Sequence, residues 1–286
     1  MLPVLTGVDP LNFSTFKITA LHGEDILSHA TGFFYVGILD GQPHHWLVTN
    51  WHVLCGRNAD DPEIILSSTG LVPTHLSVDF LLKAGEPEYR GRESEALFAE
   101  VRISLYDPNG HAIWWQHRLK NEIDVAVLEP GSALDRSAFT AVNGNNQNDM
   151  AVEIGNEVFI LGYPLAYSHF MNTPIWKRGS IASEPHLKVE GTKERVVIDA
   201  TTRTGMSGGP VFMRAKTHYA ADDGSIKAMR NATRFIGIYA SRPSLRPQAE
   251  GPLEDRSAEL GFFYKSSSIY DVIRDRLPGP NAMALP

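Results

Sequence analysis

The run Gly205-Met206-Ser207-Gly208-Gly209-Pro210 sets one hydroxyl among three glycines and leads into the apolar pair Val211-Phe212. Glycines let the backbone turn tightly and come close to a ligand. In such a turn the amides of Gly205 and Ser207 can aim at one point, as a tetrahedral oxyanion requires. Taken alone, the run also fits a glycine-rich hairpin with an incidental serine. A serine hydroxyl becomes a nucleophile only when a base removes its proton, and a buried carboxylate must steady that base. Among the 11 histidines, His52 is set apart by its place at the end of Trp46-Leu47-Val48-Thr49-Asn50-Trp51, where a strand leaves the core for a loop. Asp124 opens the apolar strand Asp124-Val125-Ala126-Val127-Leu128, where a carboxylate is costly unless paired. A capped core histidine and a strand-start turn residue are the alternatives for each residue by itself. In the order histidine, aspartate, serine, the three point to nucleophilic catalysis.

Positioning these groups falls to short β-like runs that recur along the chain. They lie at 33–38, 46–49, 63–66, 98–105, 112–115, 125–128, 157–161, 196–198, 211–213, 235–239 and 260–264. All are rich in Val, Ile, Phe and Trp, and several are bounded by Gly, Pro, Asn or Asp, as antiparallel strands are. Asp107-Pro108-Asn109-Gly110 predicts a hairpin turn between two of them, because Asn-Gly accepts positive φ cheaply. The pattern predicts an all-β protein. Small, polar, Asn-rich residues at 131–150 read as the connection between two halves, and 247–256 as a polar loop before the last strand. One helix is predicted over 268–276. Ser268 with Asp271 gives it an N-cap signature, Ile269, Val272 and Ile273 an apolar stripe, and Pro278 a stop.

Composition narrows the function further. The 286 residues carry a net charge of −7 with Lys and Arg scattered, so neither nucleic acid nor a membrane is expected as a partner. A single cysteine, Cys55, excludes an internal disulfide and a multi-cysteine zinc site. Neither a basic leader before an apolar run nor eighteen consecutive apolar residues occurs, and a cytoplasmic location is the default expectation. His44 and His45 would face opposite sides of a strand and do not read as a metal site. Trp114-Trp115 reads as one core and one half-exposed ring, Cys55 as a small core residue, and Arg90, Arg92, Glu93 and Glu95 as a solvated loop.

Thr49-Asn50-Trp51-His52-Val53, Asp124-Val125-Ala126-Val127-Leu128 and the serine run resemble the three signature blocks of chymotrypsin/trypsin-like serine peptidases. The intervals of 72 and 83 residues between His52, Asp124 and Ser207 suit that family. Asp199-Ala200-Thr201, Phe235-Ile236-Gly237-Ile238 and Leu260-Gly261-Phe262-Phe263 are similar to bacterial Deg-type peptidases. Gly162-Tyr163-Pro164 and the run at 176–183 look like stand-alone bacterial trypsin-like peptidases. The resemblance spans roughly residues 32–276. It implies two antiparallel six-stranded β-barrels, with an N-terminal segment at 1–18, a first barrel at 19–141 carrying His52 and Asp124, and a second at 142–286 carrying Ser207 and the helix.

Carried over to this chain, the resemblance makes Ser207 the nucleophile and His52 the base, with Asp124 holding the imidazole. The amides of Gly205 and Ser207 form the oxyanion hole. Thr201 and Thr202 line the base of the primary pocket, and the strand from Tyr239 through Ala240 and Ser241 to Arg242 pairs with the substrate backbone. The implied activity is a serine endopeptidase acting on proteins or peptides with no cofactor and no metal. A latent protease switched on by a partner protein or stress signal, and a non-cleaving peptide-binding scaffold, are the alternatives. Met206 replaces the aspartate that zymogen-activated members use, so activation by N-terminal cleavage is not expected. Ala240 replaces a hydroxyl that helps many relatives hold the aspartate, and no PDZ module is expected after the helix. The pocket base has no acidic residue, which argues against Lys or Arg specificity and toward small or polar side chains, while Arg203 and Arg242 could favour an acidic group.

Overall fold

The structure, a computed structural model, describes residues 8–82, 98–131, 139–144, 147–169, 172–187, 195–240 and 259–282. The first half holds β1 (Thr15–His22), β2 (Asp25–Leu39), β3 (Gln42–Thr49), β4 (His75–Leu81), β5 (Phe98–Ser104), β6 (Trp114–Gln116) and β7 (Ala126–Leu128). A short helix, α1 (Trp51–Cys55), follows β3. The second half holds β8 (Glu157–Gly162), β9 (Ile175–Ile181), β10 (Arg195–Asp199), β11 (Pro210–Ala215), the small hairpin β12 (His218–Ala220) and β13 (Ile226–Ala228), β14 (Ala232–Tyr239) and β15 (Leu260–Lys265). Helix α2 (Ser267–Asp275) and β16 (Leu277–Pro278) come last.

The all-β, chymotrypsin-like architecture is present, with one difference in its first half. β10-β15-β14-β11-β8-β9 close a six-stranded barrel, whereas the first half is an eight-stranded sheet in the order β16-β6-β7-β3-β2-β1-β4-β5. The end strands β5 and β6 share no ladder and approach at the single bridge between Tyr106 and Ala112. The reason is local. The turn at Asp107–Gly110 forms, with Gly110 at φ 81° and its amide donating to Asp107 O (2.9 Å). On either side, β5 spends its bonds on β4 and β6 on β7 and on Leu277–Pro278.

Strand β7, the middle of β2 and the end of β3 are buried on both faces, and that double burial places the site. Along β3, Leu47 joins Phe34, Ala126 and Leu128 inside the first half. Its neighbours Trp46 and Val48 point the other way and join Phe33, Val125 and Val127 against Leu161, Phe212 and Phe235 of the second half, as the two-residue strand period dictates. A third cluster, including Val158, Ile160, Ile198, Met206 and Tyr239, fills the closed barrel. Helix α2 lays Ile269, Val272 and Ile273 into the middle cluster between the halves.

Three expectations need correction. Residues 63–66 are a turn touching the fold through one bridge, Arg57 to Ile65, because Ile64 and Leu66, each 50% exposed, have no core to face. The helix is capped at Ser266, not Ser268; Ser268 is buried inside the first turn beside Ile269. The helix stops at Arg276 in the left-handed conformation, and Pro278 instead pairs with Trp115. Strands β1, β4 and β9 were not among the predicted runs. Lys17, His75, Ser77, Asp79, Lys177 and Arg178 dilute their apolar signal.

Candidate active site

Helix α1 begins where β3 ends, and its backbone reverses at Gly56, whose φ of 71° brings its amide onto His52 O (2.9 Å). Glycine takes that left-handed cap without a steric penalty. His52 is thereby presented at the mouth of the first half. Its Nδ1 lies 2.7 Å from Asp124 Oδ2, and its backbone amide donates to Asp124 Oδ1 (2.9 Å). The Asn50 amide donates to Asp124 O (2.7 Å), which fixes the residue from behind. The side chain of Asp124 is 3% exposed and that of His52 17%. A carboxylate can only accept, so Nδ1 carries the proton and Nε2 keeps its lone pair for another group. Burial pushes the imidazolium pKa down, but the charge of Asp124 and its hydrogen bond push harder, and the net shift is upward.

The serine run is held by its carbonyls. Arg203 to Met206 forms a turn closed by Met206 N on Arg203 O (3.2 Å), with Gly205 at φ 96°, the third-position conformation that needs glycine. Leu165 N donates to Thr204 O (2.7 Å), the Thr31 hydroxyl to Gly205 O (2.7 Å), Gly209 N to Met206 O (3.0 Å) and Thr31 N to Ser207 O (2.8 Å). Four successive carbonyls are thus tied back to the scaffold. The amides of Gly205 and Ser207 donate to no described residue. Gly208 permits the close approach, since a Cβ there would lie 2.1 Å from Thr31 O and 2.4 Å from Thr49 Oγ1. Thr49 in turn bonds Thr31 O (2.8 Å) and stands three residues before His52, so the serine turn packs against the chain leading into α1.

Thr31 joins the halves, and the sequence reading passes over it. Besides its two bonds to the serine turn, its hydroxyl accepts from Tyr163 N (3.2 Å). The available signal was a wholly buried threonine inside an apolar strand, since such a hydroxyl must have partners. Leu165 and Asn50 were likewise not assigned roles.

The other expected site residues spread out. Thr202 is buried, and its hydroxyl bonds the Tyr239 phenol at 2.5 Å. Thr201 turns to Glu259 Oε2 (2.8 Å), and Arg203 is exposed, its guanidinium folded back on Thr202 O (3.0 Å). Tyr239 cannot pair with a substrate backbone: its amide donates to Gly209 O (2.8 Å) and its carbonyl accepts from Gly208 N (2.9 Å). Ala240 N is likewise spent, on Phe262 O (2.9 Å). Ser241 and Arg242 lie outside the described residues, as do Arg90, Arg92, Glu93, Glu95 and the loop at 247–256. Met206 sits in the apolar interior of the barrel. Cys55 is buried, and burial pushes its thiol pKa well above the usual range, which keeps it an unreactive core residue. Among the described residues no helix is long and apolar enough to cross a membrane.

The profile of the trypsin-like peptidase domain matches residues 30–218 of this chain. The chain belongs to that family and is a serine endopeptidase, with proteins or peptides as substrates. Solved structures similar to it include the active form of the protease Rv3671c from M. tuberculosis, 18% identical, with 95% of this chain and 84% of that one covered at a TM-score of 0.43. Deg5 is 15% identical over 91% of this chain and 87% of its own, at 0.45. A serine endoprotease from Yersinia pestis is 15% identical over 93% of this chain and 65% of its own, at 0.46. No curated protein sequence matches.

Proposed function

We propose that Ser207, His52 and Asp124 form a catalytic triad served by an oxyanion hole at the amides of Gly205 and Ser207, and that peptide bonds are cleaved through an acyl-enzyme. The observation that carries this reading is the serine turn, with four carbonyls tied back and two amides left to donate. As Ser207 Oγ attacks the scissile carbonyl carbon, its proton passes to His52 Nε2 and the carbonyl electrons move onto oxygen between the two amides. The imidazolium then gives that proton to the leaving nitrogen, the C–N bond breaks, and the acyl group stays on Ser207. Water repeats the sequence, losing its proton to His52, and the acid leaves as Oγ is reprotonated. Asp124 keeps Nδ1 protonated and favours the imidazolium. Ser207 Oγ has no hydrogen-bond partner among the described residues, and contacts of this kind tighten when substrate binds.

In this reading residues 19–141 supply base and carboxylate and 142–286 the nucleophile, so cleavage needs both halves. The deciding experiment is mass spectrometry after exposure to a fluorophosphonate, with Ser207→Ala as control. One adduct on Ser207, absent from the variant, is expected, with turnover falling by about four to six orders of magnitude in the variant. A Ser207→Ala protein that hydrolysed peptides at the original rate would overturn the assignment.

A further inference from the structure

Tyr264 is wholly buried in the cluster between the halves, where a phenylalanine ring would fill the same space. A hydroxyl in such a place is costly unless it is bonded, and this one has two partners. It donates to Glu122 O (3.0 Å), two residues before Asp124, and accepts from Arg195 Nε (2.9 Å). The direction is fixed, because a guanidinium can only donate. Burial and the charge of Asp124 push the phenol pKa up to about 12, so it keeps its proton near neutrality. Arg195 stands directly opposite Tyr264 in the β10–β15 ladder, its guanidinium carbon 5.2 Å from the centre of the Phe262 ring. From that seat Nη2 donates to Asp60 Oδ1 (2.8 Å). Asp60 belongs to the loop after α1, whose far end returns to the helix cap through Leu66 N on Gly56 O (2.8 Å). Asn121 Nδ2 ties the two first-half segments to each other at Ala59 O (2.9 Å). Only Ile123 separates Glu122 from Asp124, and its side chain is packed in the middle cluster. The Glu122 peptide therefore sets where Asp124 enters.

Resting on the catalytic assignment proposed above, we infer that Tyr264 and Arg195 are positioning residues, a clamp by which the second half sets the register of Asp124 against His52. Neither touches a reacting atom. Both of the clamp's contacts, to Glu122 O and to Asp60, cross between the halves. The pair that activates Ser207 is thus aligned by the half that carries Ser207.

The test uses the full chain and the variant Tyr264→Phe, which keeps the ring and removes the hydroxyl. kcat on one peptide is expected to fall by about 10- to 100-fold with KM little changed, the scale of a misplaced catalytic group. The charge that raises the His52 pKa is that of Asp124, so an NMR titration of the ring reads how closely the two stay together. In Tyr264→Phe the measured pKa should drop by about 0.5 or more. Arg195→Gln should move both readings the same way. Because one network is being cut twice, the double variant should lose no more than about threefold beyond the worse single change. Asp60→Asn, at the exposed end of the clamp, takes over if Tyr264→Phe does not fold, with kcat lower by about threefold and the same direction of His52 shift. A merely structural hydroxyl would lower the melting temperature and leave both readings in place. An unchanged His52 pKa or an unchanged kcat in the folded variant overturns the clamp, and so do additive losses in the double variant. Fluorophosphonate labelling keeps the two readings apart. A protein labelled at Ser207 whose Tyr264→Phe form titrates and turns over as before refutes the clamp alone. An unaltered protein that does not label refutes the catalytic assignment, and the titration still decides whether the clamp holds Asp124 to His52.

Discussion

Asp124 gives both carboxylate oxygens to one residue, His52: Oδ2 takes the ring Nδ1–H at 2.7 Å and Oδ1 takes the backbone amide at 2.9 Å. The second bond matters because Ala240 supplies no hydroxyl here. Ring orientation therefore depends on α1 staying in register with Asp124. Asp124→Asn keeps the shape but can turn its NH2 toward the ring and favour the wrong tautomer. Turnover should fall by about four orders of magnitude while Ser207→Ala remains the lower floor, as steady-state kinetics on one peptide would show.

The direction of the His52 shift predicts the acid limb of the pH profile. The ring is a base only when neutral, and its pKa is raised above the ordinary value of about 6.5. Activity should therefore climb as pH rises through a midpoint above about 6.5. In Asp124→Asn the opposing effect of burial is left alone, and the limb should move to lower pH. The same shift links to folding. His52 stabilises the fold fully below the unfolded value, and that contribution fades as pH rises through the folded one. A pH–rate profile whose acid limb stayed put on loss of Asp124 would contradict this account.

Thr31→Val should damage both stability and catalysis. The valine keeps the volume but leaves Gly205 O without the hydroxyl that now donates to it and Tyr163 N without its acceptor. An orphaned buried group costs roughly 1–3 kcal/mol, readable as a lowered urea midpoint. kcat should fall more than KM rises, because the freed carbonyl lets the proposed oxyanion amides drift. Thr31→Ser should recover most of both.

Leu165 tests how the proposed oxyanion turn is locked. Its amide holds Thr204 O, which keeps the Thr204–Gly205 peptide oriented with the Gly205 amide on the opposite side. Leu165 does this at φ 54° with Ala166 at 59°, conformations that cost a non-glycine residue on the order of 1–3 kcal/mol. Leu165→Gly retains the donor and relieves the strain, so a higher melting temperature with preserved turnover is expected. Leu165→Pro removes the donor and cannot adopt positive φ. Its kcat should drop by about two to three orders of magnitude, the loss expected for one oxyanion donor.

What was legible in the sequence was local. His52 and Asp124 each stand at the end of an apolar run, and the glycines around Ser207 announce a turn whatever surrounds it. The all-β class followed from the spacing of such runs. What escaped was the contact across distance. Thr31 meets Gly205 across 174 residues, and nothing in a window around either reveals the other. The resemblance assigns Tyr239 to substrate pairing, yet the serine turn claims its backbone. Residues 63–66 show the converse error, apolar composition without a core to receive it.

β16 carries a consequence for how the molecule comes into being. Leu277 and Pro278 pair with β6, and α2 just before them wedges between the halves. Residues made after Ser207 thus complete the outer edge of a sheet whose other strands all precede it. A chain made only as far as Ser207 already holds His52 and Asp124 but lacks the wedge and the outer strand, so the edge of the first sheet closes only after the second half has been made.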